Sequence, residues 1–128
     1  VIDHIGMPVS DIARATDFYM KALAPLGIAM IKQISADQTG HGAAVGFGTD
    51  GKPFFWLGEG DKAGDHVHVA FAAQSRAEVD AFYHAALAAG AKDNGAPGLR
   101  PIYHANYYGA FVLDPDGNNI EAVCHAPA

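Results

Sequence analysis

Two histidines and one glutamate stand out in this chain for their type and spacing. His4 and His68 are 64 positions apart, and each lies in a short alternating stretch. Ile5, Met7 and Val9 alternate with His4 and Gly6; Val67, Val69 and Phe71 alternate with His66, His68 and Ala70. Alternation of this kind marks a strand, with successive side chains on opposite faces. Glu121 lies in a third apolar stretch, where Ile120, Ala122 and Cys124 share one face and Glu121 and Val123 the other. A carboxylate in such a strand is exposed, paired, or on a metal, because burying it alone is costly. Two imidazoles and one carboxylate, if they converge, form a triad suited to a divalent transition metal. Taken singly, each residue also has an ordinary reading as a hydrogen-bonded or solvated side chain, and both readings stand at this point.

The elements that must position these residues repeat. After the first strand, Ser10 is a candidate N-cap, and Ile12, Ala15, Phe18, Tyr19, Ala22, Leu23 and Leu26 recur at helical spacing up to Gly27. Strands are expected over about 28–35, 42–48 and 53–58, separated by turns at Ala36–His41 and Gly48–Lys52. The pattern then restarts. Ser75–Glu78 is a capping-box sequence, and Val79, Phe82, Tyr83, Ala86 and Leu87 form a second helical stripe ending at Gly90. Phe18 and Phe82, Tyr19 and Tyr83, and Leu23 and Leu87 keep the spacing that separates His4 from His68. Four matched pairs in one register indicate two copies of a strand–helix–strand–strand–strand unit, about 1–62 and 63–128. Residues 92–102 break the repeat and read as a stiff, irregular loop, with Asn94, Gly95, Pro97, Gly98 and Pro101 in it. Asp114-Pro115-Asp116-Gly117 is turn chemistry and reads as a hairpin between the last two strands. With helices covering Ile5/Met7 and Val67/Val69, His4 and His68 should face an opposite, concave surface that Glu121 can share.

Size and composition narrow the function classes. A chain of 128 residues suits one domain with a real core, and 50% hydrophobic against 17% charged residues excludes disorder. The net charge of -6 argues against nucleic acid and anionic membrane surfaces as partners. The single Cys124 excludes an internal disulfide and suits a reducing cytoplasm. No apolar run reaches membrane-spanning length, and a first strand so close to Val1 leaves no room for a signal peptide.

Together, Phe18-Tyr19, the His4 start, the His68 restart and the run Asp114–Glu121 resemble the vicinal oxygen chelate superfamily, which spans glyoxalase I, extradiol dioxygenases and bleomycin and fosfomycin resistance proteins. The resemblance implies an α+β fold of two tandem βαβββ modules forming a cupped mixed sheet, with His4, His68 and Glu121 as metal ligands. It also implies a homodimer. Glyoxalase I-like members carry a further carboxylate on the last strand of the first module; the best-matching position here holds Trp56. Two histidines and one glutamate match the extradiol and fosfomycin-modifying layout instead, so iron(II) or manganese(II) is expected ahead of zinc(II) or nickel(II). His104, followed by Phe111 and the Asp114–Glu121 run, resembles the extradiol signature, with Phe111 where a tyrosine is usual.

The leading expectation is a small metal-dependent enzyme that chelates two adjacent oxygens of a small-molecule substrate, with extradiol-like or lyase chemistry. His104 and Tyr108 are its candidate catalytic groups, with Tyr103 and Tyr107 as other hydroxyl donors. Trp56, Tyr103, Arg100 and Asn94 are candidate substrate contacts; the plainer alternative for Arg100 and Asn94 is that they tie their own loop down. The rival expectation is a metal-free drug-binding protein of the bleomycin-resistance type, which the acidic charge and Trp56 would suit.

Overall fold

A computed structural model of the chain describes residues 2–40, 42–61, 63–64 and 67–128, apart from the side chain of Thr39. His41, and the His66 considered beside His68, lie outside the described residues. The first half runs β1 (Ile5–Val9), α1 (Ile12–Leu23), β2 (Ala29–Ile34), a short α2 (Ala36–Thr39), β3 (Ala44–Thr49) and β4 (Lys52–Glu59). The second half runs β5 (His68–Ala72), α3 (Arg76–Ala88), β6 (Lys92–Leu99), β7 (Tyr108–Leu113) and β8 (Asn119–Cys124). Each half forms a four-stranded sheet of the same topology, β1-β4-β3-β2 and β5-β8-β7-β6. In both, the first strand lies parallel to the last and the remaining pairs are antiparallel. The internal repeat is therefore structural, and it makes positions comparable. Gly6 lies opposite Trp56, while Ala70, 64 residues on, lies opposite Glu121.

Helix stripes and strand alternation build one continuous core. From α1 come Ala15, Phe18, Tyr19, Ala22 and Leu23, and from α3 come Val79, Phe82 and Ala86. Met7, Val9 and Phe71 meet them from the first strands, and the two helices pack on each other. Aromatic rings carry the core from one half into the other: Tyr19 meets Phe55 at 5.1 Å, and Phe55 meets Phe71 edge-on at 5.1 Å. Such pairs add roughly 0.5–1.5 kcal/mol beyond the area they bury. On the opposite sheet faces, His4 and Gly6 of one and His68 and Ala70 of the other are exposed. Among the described residues no helix is long and apolar enough to cross a membrane.

Three local expectations are corrected. Asp11, not Ser10, caps α1, its carboxylate accepting from Arg14 N at 3.0 Å. Ser10 is drawn away because its N–H and hydroxyl both donate to Asp116. A short helix, α2, takes up part of the turn expected after residue 35, and its capping box joins Ser35 to Gln38. Most of the stretch 92–102 is strand rather than loop. β6 pairs with β7, but its register breaks between Asp93 and Gly95 and again between Gly95 and Gly98. Pro97, which has no N–H to donate, falls in the second break, so the irregularity read from the sequence is absorbed as bulges.

The Asp114 hairpin joins the halves. Asp114 is buried, and its carboxylate accepts four hydrogen bonds. Asp116 N (2.9 Å) and Asn118 N (2.8 Å) reach one oxygen; Asn118 Nδ2 (3.0 Å) and the Tyr19 hydroxyl (2.6 Å) reach the other. Tyr19 is fully buried in the first half, and burial beside Asp114 holds its phenol well above the usual range, so it remains a neutral donor. Tyr19→Phe keeps the ring and removes one of four donors to a buried charge. The expected loss of stability is about 1.5–3 kcal/mol, read from urea-denaturation midpoints at unchanged m-value.

Candidate functional site

β5 and β8 bring His68 to Glu121. Glu121 faces away from the helices beside Ala70, and His68 is one pleat earlier on the same face. His68 Nε2 lies 2.8 Å from Glu121 Oε1. The Tyr107 hydroxyl donates to the other oxygen, Oε2. Glu121 is 1% exposed while the His68 side chain is 47% exposed, so a buried carboxylate sits behind an imidazole that opens to solvent. Gly109 makes room for this group: a Cβ there would come within 3.3 Å of both Glu121 Oε2 and the Tyr107 ring. Among the described residues each carboxylate oxygen has one partner, although an ionised carboxylate offers about four lone-pair sites. Acceptor capacity therefore remains.

His4 is exposed on the first sheet. Its Nδ1 is 2.7 Å from Asp3 Oδ1, and the other Asp3 oxygen accepts from Lys52 Nζ at 2.5 Å. The Lys52 hydrogen bond, followed by that from His4, holds the Asp3 carboxyl below its usual value. A ring whose Nδ1–H donates to a carboxylate has Nε2 as its free donor atom for a metal. His4, Lys52 and Trp56 line one open cleft of about 670 Å³. Within one chain His68 and Glu121 come together and His4 does not join them. Among the described residues no group of three His, Cys, Asp or Glu side chains is placed to hold an ion.

The other candidates sort by strand parity and by prior commitment. Tyr108 lies on the helix side of β7: its hydroxyl donates to Asp80 at 2.7 Å, and Arg76 lies 5.2 Å over its ring. The hydroxyl on the Glu121 face belongs instead to Tyr107, which shares that face with Gly109 and Phe111. Counting back from the Phe111–Glu121 pair would have found it. Arg100 donates to the Gly98 (2.9 Å) and Ala96 (2.8 Å) carbonyls and lies over Phe111, while Asn94 bonds Asn119 at 3.1 Å. Both thereby hold β6 in place. Tyr103 is 61% exposed and packs on Tyr107 at 4.8 Å. His104 Nε2 pairs with His125 Nδ1 at 2.8 Å. Asn106 N donates to His104 Nδ1 at 3.1 Å, which leaves the neutral ring's proton on Nε2, shared with His125.

Burial, then the hydrogen bond to Glu121, pushes the Tyr107 phenol up to about 12 from an ordinary 10.0. In metal-free protein, the wild-type minus Tyr107→Phe difference in phenolate absorbance should titrate near that value after rapid alkaline pH jumps. The same shift makes stability fall as pH rises from about 10 to about 12, where only the unfolded chain ionises this group.

Comparison with known proteins follows the same lines. No curated protein matches the chain. A glyoxalase/bleomycin resistance protein from Albidiferax ferrireducens T118 is 27% identical, with a TM-score of 0.78 over 96% of this chain and 97% of that one. A glyoxalase I mutant from Zea mays matches at 21% identity and a TM-score of 0.72, over 95% of this chain and 46% of that one. The fosfomycin resistance protein FosX of Listeria monocytogenes, solved as a mutant with manganese(II) and a dihydroxypropylphosphonic acid, matches at 20% identity and a TM-score of 0.68, over 96% of this chain and 88% of that one. The likeness to these last two is one of fold. A family model, Glyoxalase/Bleomycin resistance protein/Dioxygenase superfamily, matches residues 1–122, so the chain belongs to that superfamily.

Proposed function

We propose that the chain is the protomer of a metal-dependent enzyme whose ion is held by His68 and Glu121 of one copy and His4 of a second. The observation that carries this reading is the His68–Glu121 pair: Nε2 of a half-exposed imidazole and a buried carboxylate oxygen converge at 2.8 Å, with acceptor capacity unspent among the described residues. His4 supplies the matching half on an exposed face of the other sheet, with Asp3 orienting its ring. A twofold homodimer places the His4 face of each copy against the His68 face of the other, giving two equivalent sites. Two imidazoles and a carboxylate with open positions suit iron(II) or manganese(II) ahead of zinc(II) or nickel(II). When bound, the ion supplies Lewis-acid stabilisation of charge developing on two adjacent substrate oxygens, as extradiol-like or lyase chemistry needs.

The chain's own residues do the rest. Glu121 is held by Tyr107, which fixes one oxygen and leaves the other on the His68 side. His104, edge-on to Tyr107 and sharing a proton with His125, is the acid–base candidate on the rim. Cys124 is free and buried, and the reducing cytoplasm is the proposed compartment. A second reading, a metal-free binding protein, draws support from Trp56, which stands in the first half where Glu121 stands in the second.

Metal content measured on tag-free protein separates the two. The wild type should hold close to one iron(II) or manganese(II) per chain, and His68→Ala or Glu121→Ala should lose it. Failure of the wild type to take up any transition ion would leave the binding protein. Shared sites have a sharper signature. His4→Ala and His68→Ala proteins should each be empty, yet unfolding and refolding them together at equal amounts should restore about a quarter of wild-type metal, because half the dimers are mixed and each has one intact site. No restoration would place all three ligands on one chain.

A further inference from the structure

Trp56 is the only tryptophan in the chain, and its surroundings shape it as a platform. A Cβ at Gly46 would lie 2.9 Å from Pro53 Cβ and 3.0 Å from both Cε2 and Cη2 of the indole, tighter than nearly all side-chain contacts. The benzo ring therefore rests on bare backbone of β3. Gly6, opposite Trp56 on β1, adds no side chain on the other flank; a Cβ there would sit 3.6 Å from Trp56 Cβ. The second half inverts this arrangement. Phe111 occupies the place of Gly46, and Glu121 that of Trp56. Where the second half has a carboxylate, the first half thus has a large, half-buried ring lying on Gly46.

The remaining lining fixes what the ring can receive. Among the described residues, Ile34, Ala44 and Pro53 are apolar, and the one cation, Lys52, is paired with Asp3. Among these residues no unpaired charge is left in the cleft to recruit an anion, and His4 stands at its edge. We propose that Trp56 is the specificity-determining residue of the site, a stacking platform that selects neutral ligands with a flat conjugated ring over saturated ones of the same size. The proposal rests on the reading of the site above, since it places the ligand's oxygens toward His4.

Because Trp56 is the sole tryptophan, its emission reports on the platform directly. Catechol and cis-1,2-cyclohexanediol, titrated into zinc-loaded and metal-free protein with excitation at the indole edge, form the test. Catechol should quench Trp56 saturably and the cyclohexanediol should not. By calorimetry, Trp56→Leu should weaken catechol binding about three- to tenfold while Trp56→Phe keeps most of it, as expected for one aromatic contact. Equal catechol affinity in Trp56→Leu and wild type, or no saturable quenching, overturns the platform whether or not the protein holds zinc. Quenching that persists in metal-free protein and is untouched by His68→Ala supports the platform while removing the metal reading.

Discussion

A carboxylate taken out of water must be met by donors, and this chain buries two within one hairpin. Asp114 is met by four, one of them the Tyr19 hydroxyl from the other half of the molecule. That contact joins α1 to the β7–β8 turn, and Asp116 strengthens the join by taking both donors of Ser10. The turn is thereby placed, and β8 with it. Losing a donor to a buried charge costs more than the hydrogen bond itself is worth, so the geometry is held by a penalty as much as by an attraction.

Glu121 is the counterpart with a different outcome. Both carboxylates are buried, but Asp114 is enclosed by backbone and amide donors, whereas Glu121 has one tyrosine and one half-exposed histidine. A closed donor shell is a structural device. An incomplete one, beside an imidazole that opens to solvent, is what the proposed metal reading rests on. The Asp-Pro-Asp-Gly run and the glutamate that follows it, contiguous in sequence, therefore divide into a join and a candidate site.

The two halves share a topology but have diverged on the face that matters. In the second, β7 and β8 present Phe111 and Glu121; in the first, β3 and β4 present Gly46 and Trp56. One face keeps a carboxylate and the other a ring, so the two repeats present different surfaces rather than equal ones. The helices pack against each other on the opposite side of both sheets, and the proposed three-ligand site needs a second copy of the chain.

Much of this was legible in the residues themselves. Periodicity marked α1, α3 and the first strands, and the 64-residue spacing of His4 and His68 marked the repeat, because hydrophobic alternation and helical stripes are local properties. Strand parity also placed His68 and Glu121 on the face away from the helices. What the sequence could not decide were outcomes of competition between distant groups. Ser10 reads as a cap until Asp116, 106 residues away, takes its donors. Arg100 reads as a substrate contact or a loop tie, and only the fold shows that it donates to the Gly98 and Ala96 carbonyls of the bulged β6. Tyr107 and Tyr108 are adjacent and equivalent in sequence, and only the register of β7 against β8 sets one on Glu121 and the other on Asp80. Residue types and spacing marked His4, His68 and Glu121 as candidates; the packing of α1 on α3 leaves His4 apart from the other two within its own chain.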